Sequence, residues 1–298
     1  MQWPFSAGTG LSLETSRPCA VVTGCSSGIG LASAIQLDAS GFHVVATARD
    51  QQALTSLGTL GFSPLRLELT DQSSIELAAQ RVLAETPDIR VLFLNAGYAA
   101  AGAIEDLHSS VWIHQFQANL FGHLELLRLL LRADSLRPGS RLIWCSSVLG
   151  ISPMPNRAAY SASKAAIESV ADAQRIELAH RGIHVCIVQP GPILTQFRAN
   201  SLRSLHANVD IESSRYSAAY QATVARLSKQ GPASPGTLNP DAVAQAVVHA
   251  ALSPRPRHRY PVTRNTRLMA AMKRWLPSHM LDAVIRRAAG PEALPPSP

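Results

Sequence analysis

The sequence lacks any long uninterrupted run of apolar residues. A membrane-spanning helix needs ~18 or more such residues in succession, and no stretch of this 298-residue chain approaches that length. The N-terminal stretch MQWPFSAGTGLSLE also lacks the basic and apolar regions that make up a secretory signal. We therefore expect a soluble, cytoplasmic protein.

Cysteine is scarce, and its spacing argues against a metal centre. The four cysteines are scattered, and none has CxxC or metal-ligand spacing. The ten histidines form no HExxH pair. We expect no metal site, and we expect the cysteines to act as small apolar residues near strands.

Excess charge is absent from most of the chain. The formal net charge is +7, but residues 1–253 contain 18 basic and 18 acidic residues, which cancel. Residues 254–298 contain nine basic residues against two acidic ones, so the whole excess lies there. Because the larger part of the chain has no net positive charge, a nucleic-acid partner is not expected.

Short apolar runs alternate along the chain with longer segments of helical period. This pattern is typical of a parallel sheet with helices on both faces. It predicts an α/β fold: a single doubly wound, Rossmann-type domain with a seven-stranded parallel sheet and a C-terminal helical extension. The predicted strands are 19–23, 43–48, 65–69, 90–95, 141–146, 184–189 and 259–262, and the predicted helices are 29–40, 73–84, 110–132, 158–181 and 240–252.

The predicted organisation is an N-terminal extension over 1–17, the Rossmann-type domain over 18–262 and a basic helical tail over 263–298. The tail contains two short amphipathic stretches broken at Pro277. A basic amphipathic helix can lie on an anionic membrane surface, which would give peripheral membrane contact. The favoured alternative is a helix that packs on its own domain or on a neighbouring subunit.

The stretch TGCSSGIG, residues 23–30, joins the first strand to the first helix. Glycines in such a turn permit positive φ and let the backbone approach a bulky anion, which the helix N-terminus attracts. The turn suits a pyrophosphate, with tight packing as the alternative, and its G-x3-G-x-G spacing is not that of a Walker loop. The candidate cofactor-binding residues here are Gly24, Ser26, Ser27, Gly28, Ile29 and Gly30.

The end of the second strand reads TARD and bears on the choice of dinucleotide. An acidic residue at this point would hold the adenosine ribose hydroxyls of NAD(H). Ala48 stands there instead, and Arg49 offers a guanidinium group that suits a 2′-phosphate. The sequence therefore favours NADP(H) over NAD(H). A solvated surface arginine, followed by Asp50 at the start of a helix, is the alternative for Arg49 alone.

The stretch YSASK places Tyr160 and Lys164 four residues apart, on one face of a helix. We expect the ammonium to lower the pKa of the phenol and make it a workable acid/base. The alternative is an ordinary amphipathic surface, but only three of the 27 basic residues are lysines, which makes a lysine in this register less expected. Ser147, after the fifth strand, could hydrogen-bond a reacting carbonyl oxygen or could simply form a turn.

These segments resemble the short-chain dehydrogenases/reductases, and within them the hydroxysteroid/retinol-dehydrogenase-like branch. The resemblance covers about residues 18–262 and rests on TGCSSGIG, LNAG (94–97), SSV (146–148), YSASK (160–164) and PGPILT (190–195), which occur in the family's order. It implies that Tyr160 is the catalytic acid/base, that Ser147 stabilises the substrate oxygen and that Lys164 also binds the nicotinamide ribose. Asn119 would hold a water that connects Lys164 to solvent, although a polar residue in an amphipathic helix is the simpler explanation.

The resemblance also extends the candidate cofactor site. It implies contacts with the adenosine ribose and with the nicotinamide carboxamide, and it includes one departure. The family commonly has Asp where Glu68 stands beside the adenine, so contact with the adenine amino group would fall partly to the Leu69 backbone. The residues implied are Asn95, Ala96, Gly97, Pro190, Gly191, Ile193 and Thr195, together with Glu68, Leu69, Tyr160 and Lys164.

The implied activity is hydride transfer between NADP(H) and a carbonyl or secondary alcohol. The lid over 193–235 mixes apolar and aromatic residues with arginines, so a steroid-, retinoid- or ketone-like apolar substrate is expected, while Arg198 or Arg203 could meet an anionic group. The alternatives are a non-catalytic dinucleotide-sensing regulator and a sugar-nucleotide epimerase. The resemblance further implies a homodimer or homotetramer that pairs through helices 110–132 and 158–181.

Overall fold

The computed structural model describes residues 17–86, 88–232 and 234–293, so the N-terminal extension lies outside the described residues up to Arg17. Seven parallel strands form one sheet in the order β3-β2-β1-β4-β5-β6-β7. This confirms the predicted fold class. The strands are β1 (Cys19–Val22), β2 (His43–Ala48), β3 (Ser63–Arg66), β4 (Ile89–Leu94), β5 (Arg141–Cys145), β6 (His184–Gln189) and β7 (Arg259–Pro261).

Continuous apolar sequence makes the central strands suitable for burial on both faces. In β4, for example, Val91 and Phe93 point into one core and Leu92 and Leu94 into the other, and none of the four is more than 1% exposed. All four cysteines are buried and unpaired, three of them within β1, β5 and β6, as expected for small apolar residues. Side-chain alternation along each strand thus supplies two cores, one beneath each helical layer.

Two helical layers cover the sheet. Gly41 (φ +92°) and Gly182 (φ +66°) follow two helices in the left-handed conformation, as their positions in the sequence predicted. The predicted helix over 110–132 comprises two α-helices joined by a π-helical turn, Gln117–Phe121. The helices are α1 (Gly28–Ala39), α2 (Gln51–Thr59), α3 (Gln72–Glu85), α4 (Ser109–Phe116), α5 (Gly122–Arg132), α6 (Val148–Ile151), α7 (Ala158–Glu177), α8 (Phe197–Asn208), α9 (Ser217–Ser228) and α10 (Asp241–Leu252).

Strand β3 lies two to three residues earlier than predicted. Pro64 has no N–H to donate to a neighbouring strand. It is accommodated because β3 is an edge strand and pairs on one side only. Beyond β3 the Leu67 N–H still donates to the Ala48 carbonyl, at 2.9 Å. The Glu68 carboxylate then accepts from the Thr70 N–H at 3.1 Å and turns the chain away. The predicted strand LRLEL therefore ends in a turn that its composition did not indicate.

The tail forms two helices, α11 (Arg264–Trp275) and α12 (Ser278–Ala289), followed by a 3₁₀ turn, Gly290–Glu292. They are separated at Pro277, as predicted. Leu281, Ile285 and Ala289 recur on one face of α12 and are buried, so this face packs on the protein itself. Among the residues that the structure describes, no helix is both long and apolar enough to cross a membrane.

Candidate active site

The glycine turn lies at the carboxyl end of β1, where the strand order reverses between β1 and β4. Ligands bind at such points in doubly wound sheets. Gly28 has φ +60°, and a Cβ there would lie 3.0 Å from Thr195 Cγ2. A Cβ on Gly30 would lie 2.1 Å from the Gly24 carbonyl oxygen. Gly30 thus serves tight packing, whereas Gly28 keeps the start of α1 free of a side chain and suited to a pyrophosphate.

A buried neutral network ties this turn to the end of β4. Thr23 Oγ1 accepts from the N–H groups of Asn95 (2.8 Å) and Ala96 (3.0 Å). His123 Nε2 lies 3.0 Å from Thr23 Oγ1, and His123 Nδ1 lies 3.2 Å from the Asn119 carbonyl oxygen. Because a carbonyl only accepts, Nδ1 carries the proton and Nε2 accepts from the Thr23 hydroxyl. His123 therefore links the strand ends to the segment that contains Asn119.

Asn119 lies in the π-helical turn, and such turns occur frequently at functional sites. Its Oδ1 accepts from the Tyr98 N–H at 3.1 Å, and its Nδ2 donates to the Tyr98 carbonyl at 3.1 Å and to Ser163 Oγ at 3.0 Å. The side chain is fully buried. Ser163 belongs to α7, so Asn119 contacts the helix that carries Tyr160 and Lys164. This placement is more specific than that of a polar residue on an amphipathic helix.

Ser147, Tyr160 and Lys164 come together at the carboxyl ends of β5 and β6, and all three are buried. Ser147 caps α6, where its Oγ accepts from the Leu149 N–H at 3.1 Å. Lys164 Nζ donates to the Cys145 carbonyl at 2.7 Å and lies 5.8 Å from the centre of the Tyr160 ring. Ser147 therefore forms the turn at the start of α6 and also lies in the group of buried residues that contains Tyr160.

Burial determines the pKa values of these groups. It raises the pKa of Tyr160, and the nearby Ser147 side chain opposes this change only in part. Burial also lowers the pKa of Lys164. The expectation that the ammonium would lower the phenol pKa is wrong for this structure, because loss of hydration of the phenolate outweighs every other contribution. Tyr160 is thus a protonated phenol at neutral pH.

The segment after β6 borders the same site. The Val148 N–H donates to the Pro190 carbonyl at 2.8 Å, which joins this segment to the turn that holds Ser147. Thr195 packs against Gly28 and accepts from the Phe197 N–H at 3.2 Å. The residues that sequence reasoning assigned to the nicotinamide side, and that lie along this edge, are Pro190, Gly191, Ile193 and Thr195.

At the opposite end of the site, Arg49 and Glu68 form an ion pair with Nη1 and Oε2 3.6 Å apart. The Arg49 side chain is 73% exposed and therefore accessible to a ligand. Ala48 pairs in register with Arg66 of β3, which brings a second arginine to this edge. Glu68 directs its carboxylate to Thr70 and Arg49, so its contact with an adenine, like that of Leu69, remains a prediction.

The comparisons with known proteins agree with this geometry. The model of the family "short chain dehydrogenase" matches residues 18–205. The chain belongs to this family. This chain is 36% identical over 267 residues to the uncharacterized oxidoreductase YbbO of Escherichia coli K12. The match covers 89% of this chain and 93% of that protein.

Two further relatives are similar over most of their length. Human retinol dehydrogenase 8 is 30% identical over 259 residues, covering 83% of this chain and 81% of that protein. The crystal structure of a short-chain dehydrogenase from Streptomyces avermitilis superposes with a TM-score of 0.69 at 27% identity, covering 92% of this chain and 95% of the other. The short-chain dehydrogenase fold therefore extends beyond the sheet into the C-terminal helices.

The segment predicted to form the substrate lid contains α8 and α9. Phe197, at the start of α8, lies with its ring centre 5.6 Å from that of Tyr160. Arg198 donates to the carbonyls of Lys229 (3.1 Å) and Gly231 (2.5 Å), and Arg203 donates to the Asn200 side chain. The two arginines offered as alternative contacts for an anionic group therefore already bind oxygens within this segment.

Sequence reasoning missed two residues of this short-chain dehydrogenase site. His123 lies four residues after Asn119, so helical spacing could have linked the two, but nothing in the sequence indicated that Thr23 would approach the other ring nitrogen. Arg66 is the last residue of β3, a strand that the sequence predicted two to three residues too late. Among the described residues, no group of three or more potential metal ligands is assembled.

Proposed function

We propose that the protein is an NADP(H)-dependent oxidoreductase that transfers a hydride between the nicotinamide and a carbonyl or secondary alcohol of an apolar substrate. The observation that carries this proposal is the convergence of Ser147, Tyr160 and Lys164 on one sheet edge, beside the glycine turn. A regulator that only senses dinucleotides has no need for these three groups together. The family match supports oxidoreductase chemistry.

The residues fit a dinucleotide because the glycine cradle at α1 leaves room for its pyrophosphate. When bound, the nicotinamide supplies or accepts the hydride. Tyr160 supplies the proton at its phenol oxygen, and the Ser147 hydroxyl orients the substrate oxygen. Burial raises the pKa of Tyr160, so the phenol carries its proton at neutral pH, as the proton donor in the reduction of a carbonyl must.

The preference for NADP(H) rests on the adenosine end of the site. Ala48 provides no carboxylate to repel a 2′-phosphate, the Arg49 side chain is exposed, and Arg66 lies beside Ala48 in the neighbouring strand. The Glu68 carboxylate, 3.6 Å from Arg49, partly neutralises this charge. We expect NADPH to bind more tightly than NADH, with a difference that Glu68 reduces.

The lid favours an apolar substrate. Its inner residues Leu205, Val209 and Tyr220 form a buried cluster with Ala159, which directly precedes Tyr160. Arg198 and Arg203 each donate to oxygens of the protein itself, which reduces the number of N–H groups left for a substrate carboxylate. The similarity to retinol dehydrogenase 8, whose name specifies an apolar alcohol, agrees with a retinoid-, steroid- or ketone-like substrate.

We further propose that the enzyme forms a homodimer or homotetramer through α4, α5 and α7. Ile113, Phe121 and Ile176 lie on these helices or on the π turn between them, and each is about half exposed or more. Large apolar side chains on the same helical layer favour contact with a second copy. Peripheral membrane contact remains a weaker proposal for the tail, since α12 already buries its apolar face.

The decisive experiment replaces Tyr160 by Phe and follows single-turnover oxidation of NADPH with a ketone that the wild-type enzyme reduces. We expect turnover to fall ~100-fold or more, since this is the range for loss of a general acid. Tyr260→Phe, a change at a buried tyrosine on β7, should retain turnover. Unchanged turnover in Tyr160→Phe would refute the assignment, and NADPH binding without turnover on a broad ketone panel would favour the regulator.

A further inference from the structure

The C-terminal 3₁₀ turn carries a buried carboxylate, that of Glu292, whose side chain is 8% exposed. Arg157 donates to its Oε2 and Arg226 Nε donates to its Oε1, the latter at 2.5 Å. Thr223 Oγ1 lies 3.1 Å from Oε2, and Asn156 Nδ2 donates to the Glu292 backbone carbonyl at 3.0 Å. Five residues from three distant parts of the chain thus meet here, and we refer to them as the Glu292 cluster.

The partners of Glu292 belong to the two walls of the proposed substrate site. Thr223 and Arg226 are one turn apart on α9, the second lid helix. Asn156 and Arg157 directly precede α7, and Arg157 is three residues before Tyr160. The Asn156 carbonyl also accepts from the Gly102 N–H at 2.8 Å. Glu292 therefore connects the lid to the segment that leads into the catalytic helix.

The charges make this connection dependent on Glu292. Burial lowers the pKa of Arg157, the nearby Arg226 lowers it further and Glu292 opposes both effects, which leaves this pKa at about 10. Without the carboxylate, two guanidinium groups would face each other in a poorly solvated place. Breaking a buried ion pair by removing one partner leaves such an uncompensated charge and is strongly unfavourable.

The other end of α9 has a separate attachment. Tyr220 donates to the Asp106 carboxylate at 2.5 Å and accepts from the Ala103 N–H at 2.7 Å. This end is also fixed by apolar contacts with Leu107 and Leu205. At the Arg226 end, Leu227 is buried and Arg198 of α8 donates to the Lys229 and Gly231 carbonyls, and it is the Glu292 cluster that joins this end to the segment before α7.

We propose that Glu292 is a positioning residue that holds the lid closed beside Tyr160, so that the C-terminal tail belongs to the substrate-binding unit. The consequence for catalysis rests on the proposed function, whereas the consequence for the lid does not. The tail packs on the catalytic domain because its last turn completes one wall of the substrate site.

The test uses the full chain with Glu292→Gln and measures amide hydrogen exchange in α9, with α3 as a distant reference. We expect exchange at the Arg226 end of α9 to rise tenfold or more while α3 is unchanged. Asp282→Asn, which removes an exposed carboxylate from α12, should leave both helices at wild-type rates. Equal protection of α9 in Glu292→Gln and wild type would overturn the proposal, as would an equal rise in α3.

Steady-state kinetics with an apolar ketone provides the second readout. We expect Glu292→Gln to raise KM about tenfold, with the NADPH dissociation constant unchanged and kcat reduced no more than twofold. If no ketone is turned over by the wild type, the proposed function fails while the exchange experiment still decides on the lid. Should Glu292→Gln not fold, Thr223→Val removes one hydrogen bond of the cluster, and a local rise in α9 exchange is again expected; its absence counts against the proposal.

Discussion

The cofactor side and the lid side of the site, which meet at Tyr160, are held by different kinds of contact. On the cofactor side, the glycine turn, Thr23 and His123 are linked by neutral hydrogen bonds and by backbone packing. On the lid side, α9 is fixed by charged groups, namely Asp106 through Tyr220 and Glu292 through Arg226. The cofactor side lies at the carboxyl ends of β1 and β4, whereas the lid side lies on helices and turns away from these strands.

This difference has a physical consequence. Close backbone packing leaves no room for movement, since a shift of a few tenths of an ångström already produces overlap. Ion pairs between side chains on separate elements can break and re-form as those elements move apart. The cofactor side is therefore suited to hold a ligand in a fixed position, and the lid side to admit and release a substrate.

The largest effect is expected from a change that violates the packing of the cofactor side. In Gly30→Ala the added Cβ would lie 2.1 Å from the Gly24 carbonyl and 2.7 Å from Asn95 Nδ2. Both neighbours are fixed, so we expect a loss of more than ~3 kcal/mol in unfolding free energy. NADPH binding should be lost at any temperature at which the variant is still folded.

Urea denaturation and NADPH titration would measure these two effects. The matched control is Gly58→Ala, near the end of α2, where the nearest atom to the new Cβ is Pro64 Cγ at 3.7 Å. This variant should be as stable as the wild type or up to ~1 kcal/mol more stable. If Gly30→Ala binds NADPH as the wild type does, the glycine turn tolerates movement. The cofactor side would then be no more rigid than the lid side.

The same contrast explains what the sequence could reveal. Most of the strands, the glycine turn and the Tyr160–Lys164 pair follow from local patterns, because apolar runs and helical spacing extend over a few residues. Ser147 was found because it lies at the end of a strand. Each of these features depends on neighbours in the chain, so sequence alone was sufficient.

Contacts between distant segments could not be derived in this way. Glu292 and Arg157 are 135 residues apart, and no periodicity relates them. The raised pKa of Tyr160 was likewise missed, since the extent of burial is a property of the assembled lid. The bounds of β3 were predicted wrongly for a different reason, namely that the chain turns at Glu68, within the stretch LRLEL.

An intermediate effect is expected from His123, the one titratable side chain of the neutral network. Burial lowers its pKa to about 3, well below the value of 6.5 in the unfolded chain. Between these values the unfolded state binds a proton that the folded state does not. This contribution to stability is complete above pH 6.5 and is lost as the pH falls toward 3, by up to about 1.4 kcal/mol per pH unit.

Replacing His123 by Gln removes the titrating group but retains a donor and an acceptor. We expect the unfolding free energy of His123→Gln to depend less steeply on pH between 6 and 4 than that of the wild type. His206→Gln, a change at an exposed histidine of α8, should leave the slope unaltered. If the unfolding free energy of His123→Gln depends on pH as steeply as that of the wild type, water reaches the His123 network. The network would then not distinguish the cofactor side from the lid side.

The smallest effect concerns the one exposed ion pair of the cofactor side, Arg49 with Glu68. An exposed pair contributes ~1 kcal/mol at most, so Glu68→Gln should tighten NADPH binding no more than about fivefold, because Arg49 becomes free for a 2′-phosphate. The amide oxygen can still accept from Thr70, so the turn after β3 should persist. NADH affinity should not change, and Glu76→Gln on α3 should affect neither cofactor. Titration of both cofactors by fluorescence would decide, since equal tightening of NADPH and NADH would show that Glu68 acts on a part common to both and not on the 2′-phosphate.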